Sequence, residues 1–154
     1  MTNEINHPPA ALPRRLIALF YDLFLVLPMM MLSVAICMGI QSYFTGDGAG
    51  DLGTPALHPQ IVQGIAWCTA AVFFCSFWLK GGQTLGMQAW RVKLVTSNGS
   101  AVSPGQAAGR ALAATLSAAC LGLGYLWALV DRENRYWHDM ITGTRLILMP
   151  KKQK

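Results

Sequence analysis

Charge is the first thing this 154-residue chain has little of. Only 12% of its residues are charged, about half the share of an ordinary soluble domain. Acidic residues are scarcer than basic ones, seven against twelve. The deficit excludes a freely soluble, evenly charged surface and fits a protein facing lipid. The segment 41–60 has no Lys or Arg at all. No Cys-x-x-Cys pair occurs, and no histidines stand at zinc spacing near the four cysteines. Cys37, Cys68, Cys75 and Cys120 all lie in apolar stretches and read as small packing residues. Gly-x-Ser-x-Gly is missing, and no Gly-Lys-Ser/Thr follows the glycines at 81, 82 and 86. Neither a nucleophile elbow nor a phosphate loop is therefore expected. The reading is of a non-enzyme without a metal or cofactor, and the glycines read as a turn and a close-packing site.

Hydrophobic residues make up 53% of the chain and are gathered in long runs. A membrane span needs about 20 predominantly apolar residues. The run from Leu16 to Ile40 is long enough, and Asp22 is its only carboxylate. A charge at the centre of such a helix costs about 2.5–3.5 kcal/mol on insertion scales. Asp22 should therefore face a partner or a wet cavity. The run is too long for a secretory signal and contains Pro28, so it reads as a retained helix. The pattern predicts helix one from about Pro13 to Gly39 and helix two from about Gln60 to Leu79. Met29, Met30 and Met31 cannot share one helix face, so they read as lipid-facing or packing residues.

The rest is shorter and more polar. Gln83–Trp90 reads as a short interfacial helix. Charged and apolar residues alternate from Arg91 to Val95, before the Asn98-Gly99 turn and Ala101-Val102, which predicts a β-hairpin. Arg145–Met149 reads as a short strand. Ala111–Val130 is apolar for about one crossing but is interrupted by Gly122 and Gly124.

The basic residues orient the chain. All twelve lie outside the 41–60 loop, which places that loop outside and the N-terminus in the cytoplasm. If residues 111–130 cross once, the six basic residues after Val130 fall on the outer side. If the segment is broken and re-entrant, all twelve stay inside, and this reading is favoured. Asn98-Gly99-Ser100 then lies in the cytoplasm and is no glycosylation site. The basic ends suit anionic lipid headgroups; no basic groove for nucleic acid is visible.

On helix one, Arg15 and Asp22 fall within about 20° of each other and about 10 Å apart along the axis. That is too far for a direct salt bridge, but they could line one polar face. His138 and Asp139 invite a dyad, yet adjacent helical residues point about 100° apart. Fixing the tail against Arg110 or Arg15 is the more natural role for them.

Arg15-Leu-Ile-Ala-Leu-Phe-Tyr-Asp22 resembles the opening signature of the RDD family of bacterial membrane proteins. Gly82-Gln83-Thr84-Leu85-Gly86, Arg91-Val92, Arg110, Trp137-His138-Asp139 and Gly143-Thr144 resemble it as well, in the right order. By that resemblance Arg15 is the family arginine and Asp22 the first aspartate. Asp139 is the candidate for the second, with Asp131 as a substitute. The resemblance implies a multi-pass inner-membrane protein and transport of unidentified ligands, including ion or proton exchange.

The expected architecture is an all-α membrane protein. It has two full transmembrane helices, a third broken or re-entrant apolar segment and a small cytoplasmic β-hairpin. Residues 1–12 are expected as a flexible tail, 13–149 as the transmembrane domain and 150–154 as a basic tail. Arg15, Asp22, Arg110 and Asp139 are the candidate ligand- or ion-binding residues. Asp131, His138 and Thr144 are candidates for a structural polar cluster. Two functions fit: ion or small-ligand transport at Asp22, or an accessory or scaffolding subunit in which the charges form a lock. Either implies a homo-oligomer or a larger membrane complex.

Overall fold

A computed structural model describes residues 7–45, 57–120, 123–131 and 135–150. The expected outer loop lies mostly outside these residues, as do Gly122, the start of the N-terminal tail and the basic tail after Pro150. The molecule is mostly helical. Helix α1 runs Leu12–Thr45 and α2 runs Pro59–Gly81. Both are long and apolar enough to cross a membrane. At 1.5 Å per residue α1 is about 50 Å long, more than a bilayer's hydrocarbon core of about 30 Å. It continues past Gly39 and keeps Pro28 within it.

The chain divides into two compact units. One, Leu23–Phe73, holds the later part of α1 and most of α2. Its large side chains are mostly exposed, Met31, Leu32, Ile36 and Val72 among them. The Thr69 hydroxyl donates to Ser33 Oγ at 2.8 Å, joining the two helices. Hydroxyl bonds of this kind tie helices together where lipid gives apolar contacts no advantage.

The other unit, residues 1–22 and 74–154, carries the polar cluster. Its elements after α2 are α3 (Leu85–Ala89), β1 (Val92–Thr96), α4 (Pro104–Ala119), α5 (Leu123–Leu126), a 3₁₀ turn (Trp127–Leu129), α6 (Trp137–Thr142) and β2 (Thr144–Leu148). Strands β1 and β2 pair antiparallel, with Val92 opposite Leu148 and Thr96 opposite Thr144. Val92, Leu94, Val95 and Ile147 are almost wholly buried.

This pairing corrects the expected hairpin. The Asn98-Gly99 turn does form: Gly99 has φ +77° and its amide donates to Thr96 O at 2.9 Å. The chain then enters α4 rather than a returning strand. Ser103 and Gln106 cap one another's backbone amides, and Pro104 begins the helix. The strong local cap wins over strand continuation, and β1 takes its partner from the far end of the chain.

Within the tail expected over residues 1–12, residues 8–10 are ordered against the sheet; residues 1–6 lie outside the described residues. Pro9 bridges Ile147, Ala10 N donates to Leu146 O, and Leu148 N donates to Pro8 O, both at 2.9 Å. Residues 8–10 thus cover an edge of β2. Ala10 is fully buried. On the other side of β1, Leu94 N donates to Gly82 O at 2.7 Å. Gly82 has φ +71°, and a Cβ there would stand 2.5 Å from Leu94 O. Glycine is required at that crossing.

Helix α4 begins at Pro104, earlier than the stretch expected from Ala111, and the next described helix, α5, begins at Leu123. After α4 ends at Ala119, the chain returns along it. Gly124 packs on Ser117, and the Tyr125 hydroxyl donates to Ala114 O at 3.4 Å. Arg110 meets Asp139, and Gln106 Nε2 donates to Thr142 O at 3.1 Å. Each later residue meets an earlier one, so the segment's two ends lie together.

Candidate functional site

The four residues singled out from the sequence form two separate arrangements. Asp22, 2% exposed, lies on α1 opposite the start of α3. Its Oδ2 accepts the Thr84 hydroxyl at 2.5 Å and its Oδ1 accepts the Gly86 amide at 2.8 Å. Thr84 is the N-cap of α3, its Oγ1 accepting the Met87 amide at 3.2 Å. A capping side chain leaves amides of the first turn unsatisfied, and Asp22 takes one of them from another helix. Gly86 permits this approach: a Cβ there would strike the Ala18 carbonyl oxygen and stand 3.0 Å from the Asp22 carboxyl carbon. Gly82 and Gly86 are the turn and close-packing positions expected of this glycine cluster, and Gly86 in addition brings its amide to Asp22.

The second arrangement centres on Asp139, 1% exposed, at the start of α6. Its Oδ1 receives Nη1 of Arg110 from α4. Its Oδ2 accepts the Tyr136 amide at 3.0 Å and lies 3.7 Å from Nη1 of Arg15 on α1. Arg110 Nη1 also donates to Thr144 Oγ1 at 2.8 Å, and its guanidinium lies over the Trp78 ring at 5.3 Å. Arg15 Nε donates to Ala10 O at 2.7 Å, and its guanidinium lies 5.1 Å from the Tyr136 ring centre. Both arginines are nearly buried. One carboxylate thus gathers two guanidiniums from two helices, with carbonyl and aromatic faces taking the remaining donors. Arg15 and Asp22 lie on one buried stripe of α1, with Ala18 between them, but each takes its partners from different elements.

Among the secondary candidates, Thr144 joins the Asp139 arrangement, with Thr142 Oγ1 2.9 Å from its hydroxyl. Asp131 is engaged by its near neighbour Arg135, at 3.2 Å from Nε. His138 is buried between the Tyr125 and Tyr136 rings, at 5.2 and 5.0 Å between centres. Its Nε2 lies 3.9 Å from Asp139 Oδ1, beyond hydrogen-bond range, and its Nδ1 finds no partner among the described residues. Burial and then the Arg110 charge push its pKa down to about 3. The imidazole is therefore neutral, and the dyad geometry considered from the sequence is absent. Burial likewise raises the Tyr136 phenol.

All of this constellation except Thr144 lies within the region that matches a family model. Residues 9–143 match the RDD family. The chain belongs to the RDD family. No curated protein and no solved structure matches it. RDD membership and the two long apolar helices together support a membrane protein. In this RDD chain the arginine at 15 contacts Asp139, whereas Asp131 is held by Arg135. Thr84, Gly86, Tyr136 and the Ala10 carbonyl complete the two arrangements. The sequence signals available for them were the Gly82–Gly86 motif and a threonine placed to cap.

Proposed function

We propose that this RDD protein is a multi-pass protein of the bacterial inner membrane that moves an ion or small ligand, with Asp22 as the group that binds it. One observation carries the reading: Asp22 is buried on a membrane-length helix, and its two donors, Thr84 Oγ1 and Gly86 N, are both neutral. An intramembrane carboxylate is costly to keep, and functional sites are where such residues persist. Arg15, Arg110 and Asp139 hold the cytoplasmic base of the site. The absence of Lys and Arg from 41–60 supports a cytoplasmic N-terminus, and a broken, re-entrant third segment keeps every basic residue on that side. Anionic headgroups face those basic residues. Two spans are few for a monomeric pathway, so assembly into a homo-oligomer belongs to the proposal. No enzymatic step is part of it, and neither cofactor nor nucleic acid is needed.

The test is flux in liposomes loaded with a pH-sensitive dye. Wild-type protein should discharge a pH gradient in response to a cation or ligand pulse, and folded Asp22→Asn should not. Equal flux in the two would remove Asp22 from the mechanism.

A second reading, an accessory or scaffolding subunit, draws on a different observation. Both oxygens of Asp22 and both of Asp139 are already engaged by this chain. Stable co-purification with a larger membrane complex, in a protein without flux, would favour it.

A further inference from the structure

We propose that α4, α5 and α6 form a wedge whose outer face is immersed in the acyl chains of one leaflet without crossing the bilayer. The leaflet is the one on the side of β1 and β2, which is the cytoplasmic one under the orientation proposed above.

The argument begins with the return of the chain. Ser117 meets Gly124, Ala114 meets Tyr125, Arg110 meets Asp139 and Gln106 meets Thr142. From Arg110 to Ala119 the helix rises about 14 Å. That is about half of a 30 Å hydrocarbon core. The inner face of this hairpin holds the buried Ala107, Arg110, Ser117, His138 and Asp139. Its outward residues are large and apolar: Leu112 and Leu116 one turn apart on α4, then Leu123, Leu129, Val130 and Ile141, all more than half exposed. Water would leave such a surface unpaid for; a monomer in water rarely shows an apolar patch of this kind.

Two observations select lipid as what covers it. The same unit contains the start of α1, where Leu16, Leu19 and Phe20 are also exposed on a membrane-length helix. The apolar face is thus continuous in kind with a lipid-facing one. The remainder of the unit carries Arg14, Arg91 and Lys93, whose charge matches anionic headgroups.

Cys120, the exposed residue that ends α4, is a native probe near the tip. In sealed vesicles of phosphatidylethanolamine and phosphatidylglycerol, a membrane-impermeant maleimide should leave Cys120 unmodified from either side. Peptide mass spectrometry separates it from the other cysteines. Asn98→Cys, in the exposed turn, should react from one side only and so reports the orientation independently. Leu123→Cys in a cysteine-free background, carrying an environment-sensitive dye, should be quenched several-fold more by lipid brominated at mid-chain than in the headgroup. Modification of Cys120 from the sheet side would mean the wedge stands in water; modification from the opposite side would mean a full crossing. Protection without quenching would mean that protein, such as a second copy, covers the face. Each of these three results overturns the wedge. None depends on flux, so a wedge confirmed in a flux-dead protein would sink the transport reading alone.

Discussion

The guanidinium of Arg110 donates to the carboxylate of Asp139, and both groups are buried almost completely. The bond joins α4 to α6 at the base of the returning segment, and Arg15 reaches the same carboxylate from α1. Removing one partner of a buried pair strands the other charge, at a cost of about 3–5 kcal/mol. Asp139→Ala and Arg110→Ala should each lower the melting temperature in detergent markedly. The double variant should lose less than the sum of the two. Simple additivity would show that the pair is not coupled.

Asp131→Ala should behave differently. Its partner Arg135 is more than a third exposed, and the two are four residues apart. Ion pairs with an exposed partner contribute about 0–1 kcal/mol, and Asp131 also accepts the Arg135 amide at 2.9 Å. A loss of melting temperature clearly smaller than that of Asp139→Ala is expected, and an equal loss would give Asp131 a place in the buried arrangement.

Gly86→Ala tests the contact between α1 and α3. The added methyl would meet the Ala18 carbonyl and push α3 away from Asp22. Loss of the Gly86 N to Asp22 Oδ1 bond should then expose Leu85–Trp90 to limited proteolysis. Gly105→Ala, where a Cβ meets nothing within 4 Å, serves as the control and should leave the digestion pattern unchanged.

His138 gives a pH dependence of definite sign. Its pKa falls from 6.5 to about 3 in the folded protein, chiefly through burial. Below pH 6.5 the unfolded chain takes up a proton that the folded chain refuses. Stability then rises with pH wherever the unfolded state binds more protons. The His138 contribution should be full above about pH 6.5 and decline as pH falls toward 3. His138→Phe should flatten this part of the melting-temperature profile. An identical slope in the variant would assign the acid sensitivity to other groups.

Asp22→Asn separates the two readings of function. Asparagine keeps a carbonyl oxygen for the Gly86 amide, and its amide can donate to Thr84 Oγ1. The change should leave the melting temperature nearly as it was while abolishing pH-driven flux. Thr84→Val instead removes a donor from a buried carboxylate and should lower stability by about 1.5–3 kcal/mol. A destabilised Asp22→Asn would favour the structural role.

The long helices were legible because a run of apolar residues carries its own signature whatever it packs against. Arg15, Asp22, Arg110 and Asp139 were legible as residues, since buried charge in an apolar chain stands out. Their pairing was legible only in part. The link from Asp139 to Arg110 and Arg15 followed from charge alone. The link from Asp22 to Thr84 and Gly86 did not, because a backbone amide has no letter in the sequence. The hairpin misled for a different reason: Asn98-Gly99 fixes a turn, but the Ser103–Gln106 cap starts a helix after it, and β1 is left to pair with β2 from the far end of the chain. Residues 8–10 read as tail because two prolines suggest extension, and extension is also what the edge of a sheet accepts.

Pro8–Ala10 lie along β2, and Arg15 waits on Asp139. Synthesis runs from the first of these to the last, so α1 reaches the membrane long before the residues that complete its base have been translated. During that interval Arg15 lacks its carboxylate, Asp22 lacks Thr84 and Gly86, and β1 has no edge to join. A ribosome stalled before Thr144 would therefore leave a chain that is inserted but unfinished. Release of β2 is the event that closes the sheet-bearing unit, and a truncation there should mark the protein for degradation as surely as a break in either long helix.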